Sequence, residues 1–108
     1  MAVKRIWHGW TTKENADKYQ KVLMETVLPG IEEKKIPGYR NIVVLRAEQE
    51  NETEFITIMT YDSIENIKAL QDGNYRKSYV PQVAQEMLKR WDEEAAHYEV
   101  IDSREYDI

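Results

Sequence analysis

Two histidines, His8 and His97, are the side chains here best suited to moving a proton near neutral pH. His8 stands near the end of the first strand-like segment and His97 near the start of the last. In the sheet order argued below those segments are antiparallel neighbours, which would bring the two imidazoles together. One chemistry open to such a pair is general acid–base catalysis, since an imidazole can take up and release a proton near neutral pH. The competing reading is packing: His8 wedged among Trp7, Gly9 and Trp10 with its nitrogens satisfied by backbone, and His97 closing a strand end. A metal site would need a third ligand, and only Glu99, of the same strand parity as His97, is at hand. No metal is expected.

The second group that could do chemistry is aromatic. Trp7, Trp10, Tyr19, Phe55, Tyr61, Trp91 and Tyr98, with Met24, Met59 and Met87 as adaptable filler, could line a cavity for a flat aromatic ligand. The same residues at strand and helix spacing also make an ordinary core. Trp7, Trp10, Tyr19, Phe55, Met59 and Trp91 are the candidate substrate contacts. Tyr61 joins the histidines as a catalytic candidate, because a hydroxyl on an otherwise apolar face needs a partner that a substrate oxygen could supply. Arg40 and Arg46 punctuate a strand that is otherwise apolar and neutral. Either could orient an anion or pair across a dimer, and charges at an edge also guard a strand against unwanted pairing. The stretch Tyr75-Arg76-Lys77-Ser78-Tyr79 reads as a lid over a cavity mouth or as a plain surface crossing.

Composition narrows the classes these residues can serve. The 108 residues fit one domain, with a tail from residue 103 to 108 beyond a domain of residues 1–102. Acidic residues outnumber basic ones 20 to 15, so the basic footprint of a nucleic-acid or anionic-membrane protein is missing. There is no cysteine, which removes disulfides, thiolate nucleophiles and sulfur-ligated zinc or iron. Met1 to Trp10 lacks the apolar core of a signal segment, and no stretch approaches the ~20 apolar residues of a membrane span. A cytoplasmic location is expected. No nucleophile elbow, phosphate-cradling glycine loop or dinucleotide fingerprint is present, which disfavours hydrolases, kinases and nicotinamide dehydrogenases.

The elements that must hold the candidates follow from periodicity. Val3 to Trp10 suits a first strand. Thr11 and Glu14 have capping-box spacing, and Ala16, Tyr19, Leu23, Val27 and Ile31 form one apolar stripe of a helix that Pro29 and Gly30 should end or distort. Pro37-Gly38 turns into a second strand, Tyr39 to Ala47, and a polar loop over residues 48–53 leads to a third, Glu54 to Tyr61. Asp62 or Ser63 can cap a short helix carrying Ile64, Ile67 and Leu70, with Asp72-Gly73 as its stop. Pro81 opens a helix with Val83, Ala84, Met87, Leu88 and Trp91 on one side, and His97 to Ile101 is the last strand. This order predicts an α+β domain: the ferredoxin-like split βαβ, a four-stranded antiparallel sheet with its helices on one face.

That sheet is apolar on both faces. Ile42, Val44, Phe55 and Met59 alternate with Val43, Leu45, Ile56 and Ile58, so whichever parity meets the helices, the other is apolar too. At ~25 cal/mol per Å², leaving such a face wet forfeits several kcal/mol, and sheet-to-sheet homodimerisation is the simplest remedy.

With these residues in place the chain resembles a known family. Ile6-Trp7-His8-Gly9, the Pro37-Gly38-Tyr39 turn into Val43-Val44-Leu45-Arg46, the strand from Phe55 to Tyr61 running into Asp62-Ser63-Ile64-Glu65, and the closing His97-Tyr98-Glu99-Val100 are similar to the antibiotic biosynthesis monooxygenase family. The resemblance runs from Ile6 to Val100 and implies a dimeric α/β barrel with a ligand cavity between sheet and helices. It implies cofactor-independent oxygenation of a small aromatic substrate such as a phenol, anthrone or quinol. The heme-degrading branch uses an asparagine, a strand-end tryptophan and a helical histidine. Here Tyr61 stands where that tryptophan would fall and residues 81–91 hold no histidine, so heme degradation does not carry over and no cofactor is implied. The alternative from a different class is a non-catalytic homodimer that binds a small apolar molecule. RNA recognition on a ferredoxin-like sheet is disfavoured, because Asn51-Glu52-Thr53-Glu54 is acidic and glycine-free where that motif wants a basic residue and glycines.

Overall fold

The structure is a computed structural model that describes residues 1–70 and 73–108. Its centre is β1 (Val3–Thr11), whose burial alternates without a break. Val3, Arg5, Trp7, Gly9 and Thr11 are buried on the helix side, whereas Lys4, Ile6, His8 and Trp10 are half-buried on the other face. β1 pairs along its whole length with β3 (Thr53–Tyr61), from Val3 opposite Tyr61 to Thr11 opposite Thr53. β3 in turn pairs with β2 (Tyr39–Glu48). On the other edge β1 meets β4 (Leu88–Trp91) across Gly9 to Thr11 and β5 (Ala96–Glu99) across Val3 to Ile6. All pairings are antiparallel. The order β2-β3-β1-β4, with β5 also on β1, is the ferredoxin-like order with its edge strand broken in two at residues 92–95.

The helical layer is a rod in three pieces: α1 (Ala16–Val22), a π-helical turn (Leu23–Val27) and α2 (Leu28–Glu33). Its buried stripe is Ala16, Tyr19, Leu23, Val27 and Ile31, as the spacing predicts. The last four of these lie four residues apart. In an α-helix each such step overshoots the 3.6-residue period by about 40°, so the stripe would wind off the sheet within three turns. One wider π turn absorbs that drift and keeps Leu23, Val27 and Ile31 facing the same cavity. Pro29 lacks the N–H that a regular helix would use and is the second residue past the π turn, so it distorts the rod without ending it.

Two local expectations are corrected, and one pair of alternatives is decided. Thr11 does not cap a helix: it is the last residue of β1, fully buried, and its hydroxyl donates to the Met87 carbonyl at 2.6 Å. The helix starts later, where the Thr12 side chain accepts from the Asn15 N–H at 3.1 Å. The helix expected to run to Trp91 is only α4 (Gln82–Gln85), which follows α3 (Ile64–Lys68), and Leu88–Trp91 is β4. The exposed edge of β1 at Gly9 to Thr11 offers ladder hydrogen bonds that outweigh the helical pattern of Val83, Ala84, Met87, Leu88 and Trp91. Ser63, rather than Asp62, caps α3, through the Asn66 side chain that accepts its N–H and hydroxyl at 3.0 Å. Asp62 instead binds Arg40. The expected stop at Asp72 lies outside the described residues.

Both sheet faces are apolar, as the alternation predicts. Phe55, Met59, Ile42 and Val44 turn to the helices, and the Phe55 ring meets Tyr19 edge to face at 4.9 Å. The outer face aligns Ile6, Ile58 and Val43 across three strands, and His8, Ile56 and Leu45 in the next row. Val43 and Leu45 remain 48% and 43% exposed there. Residues 100–108 form no regular element and end the chain in exposed side chains.

Phe55 is the most buried aromatic of the helix-side core. Phe55→Ala should lower unfolding free energy by about 3–5 kcal/mol in urea titrations, while Met24→Ala, half exposed on the rod, should stay within about 0.5 kcal/mol.

Candidate functional site

A cavity of about 460 Å³ lies between the sheet and the helices, within the usual range for small-molecule sites. Trp7, Met59, Thr57 and Ile42 form its sheet floor, and Tyr19, Leu23, Val27 and Ile31 its helical wall. Tyr75, Ser78, Tyr79 and Val80 close another side, so the stretch from Tyr75 to Tyr79 does border the cavity. Gly9 is what lets the Trp7 indole lie flat along β1, because a Cβ there would collide with the ring. The indole N–H is fixed by the Asp92 carbonyl at 3.1 Å.

Among the polar groups that line the cavity, two buried phenols and a buried arginine stand out. Tyr61 is buried, tilts against Tyr39 with ring centroids 5.2 Å apart, and offers its hydroxyl only to the Met59 sulfur at 3.8 Å. Burial pushes its ionisation upward, with the Arg5 charge pulling partly back. Burial likewise raises Tyr19, whose hydroxyl has no hydrogen-bond partner among the described residues. Both phenols therefore stay protonated at neutral pH and can donate.

Arg5 is the polar group that reasoning from sequence missed. It occupies an inward position of β1, opposite Met59 on one side and His97 on the other. Its Nη1 donates to the Tyr75 carbonyl at 2.9 Å and to His97 Nε2 at 2.7 Å, and its Nη2 donates to the Lys77 carbonyl at 2.9 Å. An arginine has no acceptor, so His97 accepts through Nε2 and is neutral with its proton on Nδ1. Burial, then the charges of Arg5 and Arg76, push the His97 imidazole down to about 4. Parity was the available signal: Val3, Arg5 and Trp7 share a side, so once Trp7 faces the helices Arg5 must as well.

The two histidines are not a pair. His97 lies on the helix side against Arg5 and Tyr75, whereas His8 lies on the outer face. The register explains the difference, since β5 pairs with the start of β1 and places His97 opposite Arg5, three residues short of His8. His8 instead donates its backbone N–H and Nδ1–H to Asp92 Oδ2, at 3.0 and 2.7 Å, and stacks on Trp10 with centroids 5.9 Å apart. Trp10 is thus also outside the cavity, under the Arg90 guanidinium at 4.4 Å from its centroid. Of the candidate substrate contacts and catalytic groups Trp7, Tyr19, Met59 and Tyr61 line the cavity; Phe55 and Trp91 belong to the helix-side core beside it. Arg40 and Arg46 are taken up by Asp62 and by Asp17 and Glu48. Among the described residues no group of three or more His, Asp or Glu side chains is placed to hold a metal ion, and no helix is long and apolar enough to cross a membrane.

No family model matches the sequence. No curated protein matches it. Among solved structures the chain is similar to a protein from Bacillus cereus at 13% identity, with a TM-score of 0.67 over 97% of this chain and 98% of that one. It is similar also to a protein from Nitrosomonas europaea at 10% identity, with a TM-score of 0.63 over 93% of this chain and 90% of that one. Both are named as antibiotic biosynthesis monooxygenases. At such identities the likeness concerns architecture, and in architecture the chain has the fold of the antibiotic biosynthesis monooxygenase family.

Proposed function

We propose that this protein is a cofactor-independent monooxygenase of small aromatic substrates, such as phenols, anthrones or quinols, and that it works as a homodimer through the outer sheet face. The observation that carries the reading is the cavity: apolar walls of aromatic size, with two protonated tyrosine hydroxyls lacking strong protein partners. A hydroxyl left in that state is suited to donate to a substrate oxygen as charge builds on it. For an anthrone the overall step is balanced without a co-reductant. The enol gives its proton to solvent water, the anion gives one electron to O₂, and the two radicals join at carbon. The resulting peroxide anion takes a proton back from water, and the hydroperoxide loses water to leave a carbonyl. One O₂ then yields one quinone and one H₂O. Tyr61 is the proposed donor to the anion, and His97, engaged by Arg5, holds that arginine in place. The names of the two structural relatives agree with this class of chemistry.

A second reading, a non-catalytic binding protein, is favoured by one observation. The one imidazole on the cavity side has its Nε2 lone pair committed to Arg5, so the site offers no free histidine base. Oxygen uptake separates the two. Purified, metal-free protein given dithranol should consume O₂ one to one with quinone formed, and Tyr61→Phe should slow it by about tenfold to a hundredfold, while His8→Ala changes it by less than about threefold. Saturable thermal stabilisation by dithranol without any O₂ uptake would instead establish the binding protein.

The dimer has its own check. Ile58 sits between Ile6 and Val43 at the middle of the outer face. Sedimentation at micromolar concentration should give a dimer for the native chain and a monomer for Ile58→Lys, since a buried unpaired ammonium would cost far more than the lost side chain. A native monomer would end this part of the reading.

The state of His97 predicts an acid-sensitive fold. Its folded value near 4 lies below the 6.5 of a free imidazole, so the unfolded chain binds more protons between those limits. Stability should therefore fall as pH drops from 6.5 towards 4. Glu48 and Glu52, both held down to about 2, lose their contributions only at lower pH. Melting curves at pH 7.0 and 5.0 should show a drop for the native chain that is smaller in His97→Gln.

A further inference from the structure

Arg5 is only 9% exposed, and among the described residues no carboxylate meets it. Its acceptors, two backbone carbonyls and a neutral imidazole, carry no charge. Four of the other five arginines behave differently: Arg40, Arg46, Arg90 and Arg104 each hold a carboxylate at the surface, while Arg76 lies over the Tyr75 ring. A guanidinium taken out of water without a counter-charge is costly, and the cost is recovered when an anion is supplied. The cavity has a matching bias. Lys34 and Lys77 line it along with Arg5, and no aspartate or glutamate does among the described residues, although acidic residues outnumber basic ones 20 to 15 in the chain.

The guanidinium also has donors to spare. Of its five N–H groups, three are used by Tyr75, Lys77 and His97, which leaves Nε–H and one Nη2–H. Among the described residues no fully buried side-chain nitrogen lacks a partner, so the unused Nε must reach accessible space. For an inward residue of a central strand roofed by helices, that space is the cavity it lines. Nε–H and an Nη–H form a planar fork whose spacing matches the two oxygens of a carboxylate. His97 acts as a positioning residue, because its hold on Nη1 turns the remaining donors away from β5.

We propose that the cavity takes an aromatic carboxylate, with its two oxygens on the Nε–H and free Nη2–H of Arg5 and its ring among Trp7, Tyr19 and Met59. This rests on the reading of the cavity as the ligand site and adds the ligand's charge and its anchor. The carboxylate holds one end of the substrate and leaves the ring to meet the tyrosine hydroxyls.

Calorimetric titration of the full chain at pH 7 with 2-naphthoate and with its neutral isostere 2-naphthamide tests it. The native protein should bind the acid at least about tenfold more tightly than the amide. Arg5→Gln should bring the two within about threefold of each other by weakening the acid alone. Arg5→Lys, which keeps the charge and loses the fork, should fall between them. Equal affinities in the native protein would overturn the anionic ligand while leaving a cavity that binds aromatics. Preference for the acid that survives in Arg5→Gln would overturn the assignment to Arg5. Binding of neither compound would overturn the cavity reading and this inference together. The native comparison decides the ligand's charge even where a variant fails to fold.

Discussion

A residue of β1 has a strand on each side and belongs to one of two faces, and a step of one along the chain exchanges the helix side for the outer side. Because β1 is the middle of the sheet, its parity sets the parity of every neighbour it pairs with. Arg5 selects Met59 and His97 for the cavity side; His8 selects Ile56 and, beyond it, Leu45 for the outer side. The register of β1 is pinned at Gly9, the one position where the Trp7 ring can lie over the strand without meeting a Cβ. A slip of one residue would put Arg5 and Thr11 outside and bury Lys4 and His8, which no hydrophobic gain would offset.

Within that frame the cavity is organised by one cation. Burial destabilises the charge on Arg5, and the protein answers with carbonyls and an imidazole rather than with a carboxylate. Three consequences meet in one place. The imidazole is locked neutral, the Tyr61 ionisation is drawn back part of the way by the positive charge, and that charge faces the cavity in a chain of net charge −5. Since the surrounding dielectric is low, its field acts on a guest more strongly than the same charge would in water.

What the sequence made legible was the part governed by periodicity. The four expected strands, the stripe from Ala16 to Ile31, the two-sided sheet and the order of elements as far as Pro81 follow from spacings of two and four that the structure keeps. What it hid was governed by register and by competition. The residues from Met87 to Trp91 satisfy a helical stripe, yet β1 had an open edge beside them, and ladder hydrogen bonds decided the outcome. The histidines looked paired because they stand near facing strand ends, but a break in the edge strand moved β5 along β1 and exchanged His8 for Arg5 as the neighbour of His97. Arg40 and Arg46 stand out in sequence because they interrupt an apolar run, but that contrast says nothing about which face a side chain takes, and it is Arg5 that faces the cavity.

That break is itself held by His8. The Asp92 N–H donates to the His8 carbonyl, and the Asp92 carboxylate takes the His8 N–H and Nδ1–H in return, so the chain leaves the sheet at a fixed point. The excursion then carries the loop before it: Ser78 N–H donates to the Glu93 carbonyl, and Ala95 N–H to the Arg76 carbonyl. From that loop the carbonyls of Tyr75 and Lys77 turn inward to Arg5. An imidazole on the outer face is thus linked to the cavity cation by way of the Asp92 carboxylate, the backbone of the residue 93–95 excursion and the loop. Through Asp92, His8 fixes the point at which the chain leaves the sheet, and the loop tied to that excursion supplies the carbonyls that hold Arg5.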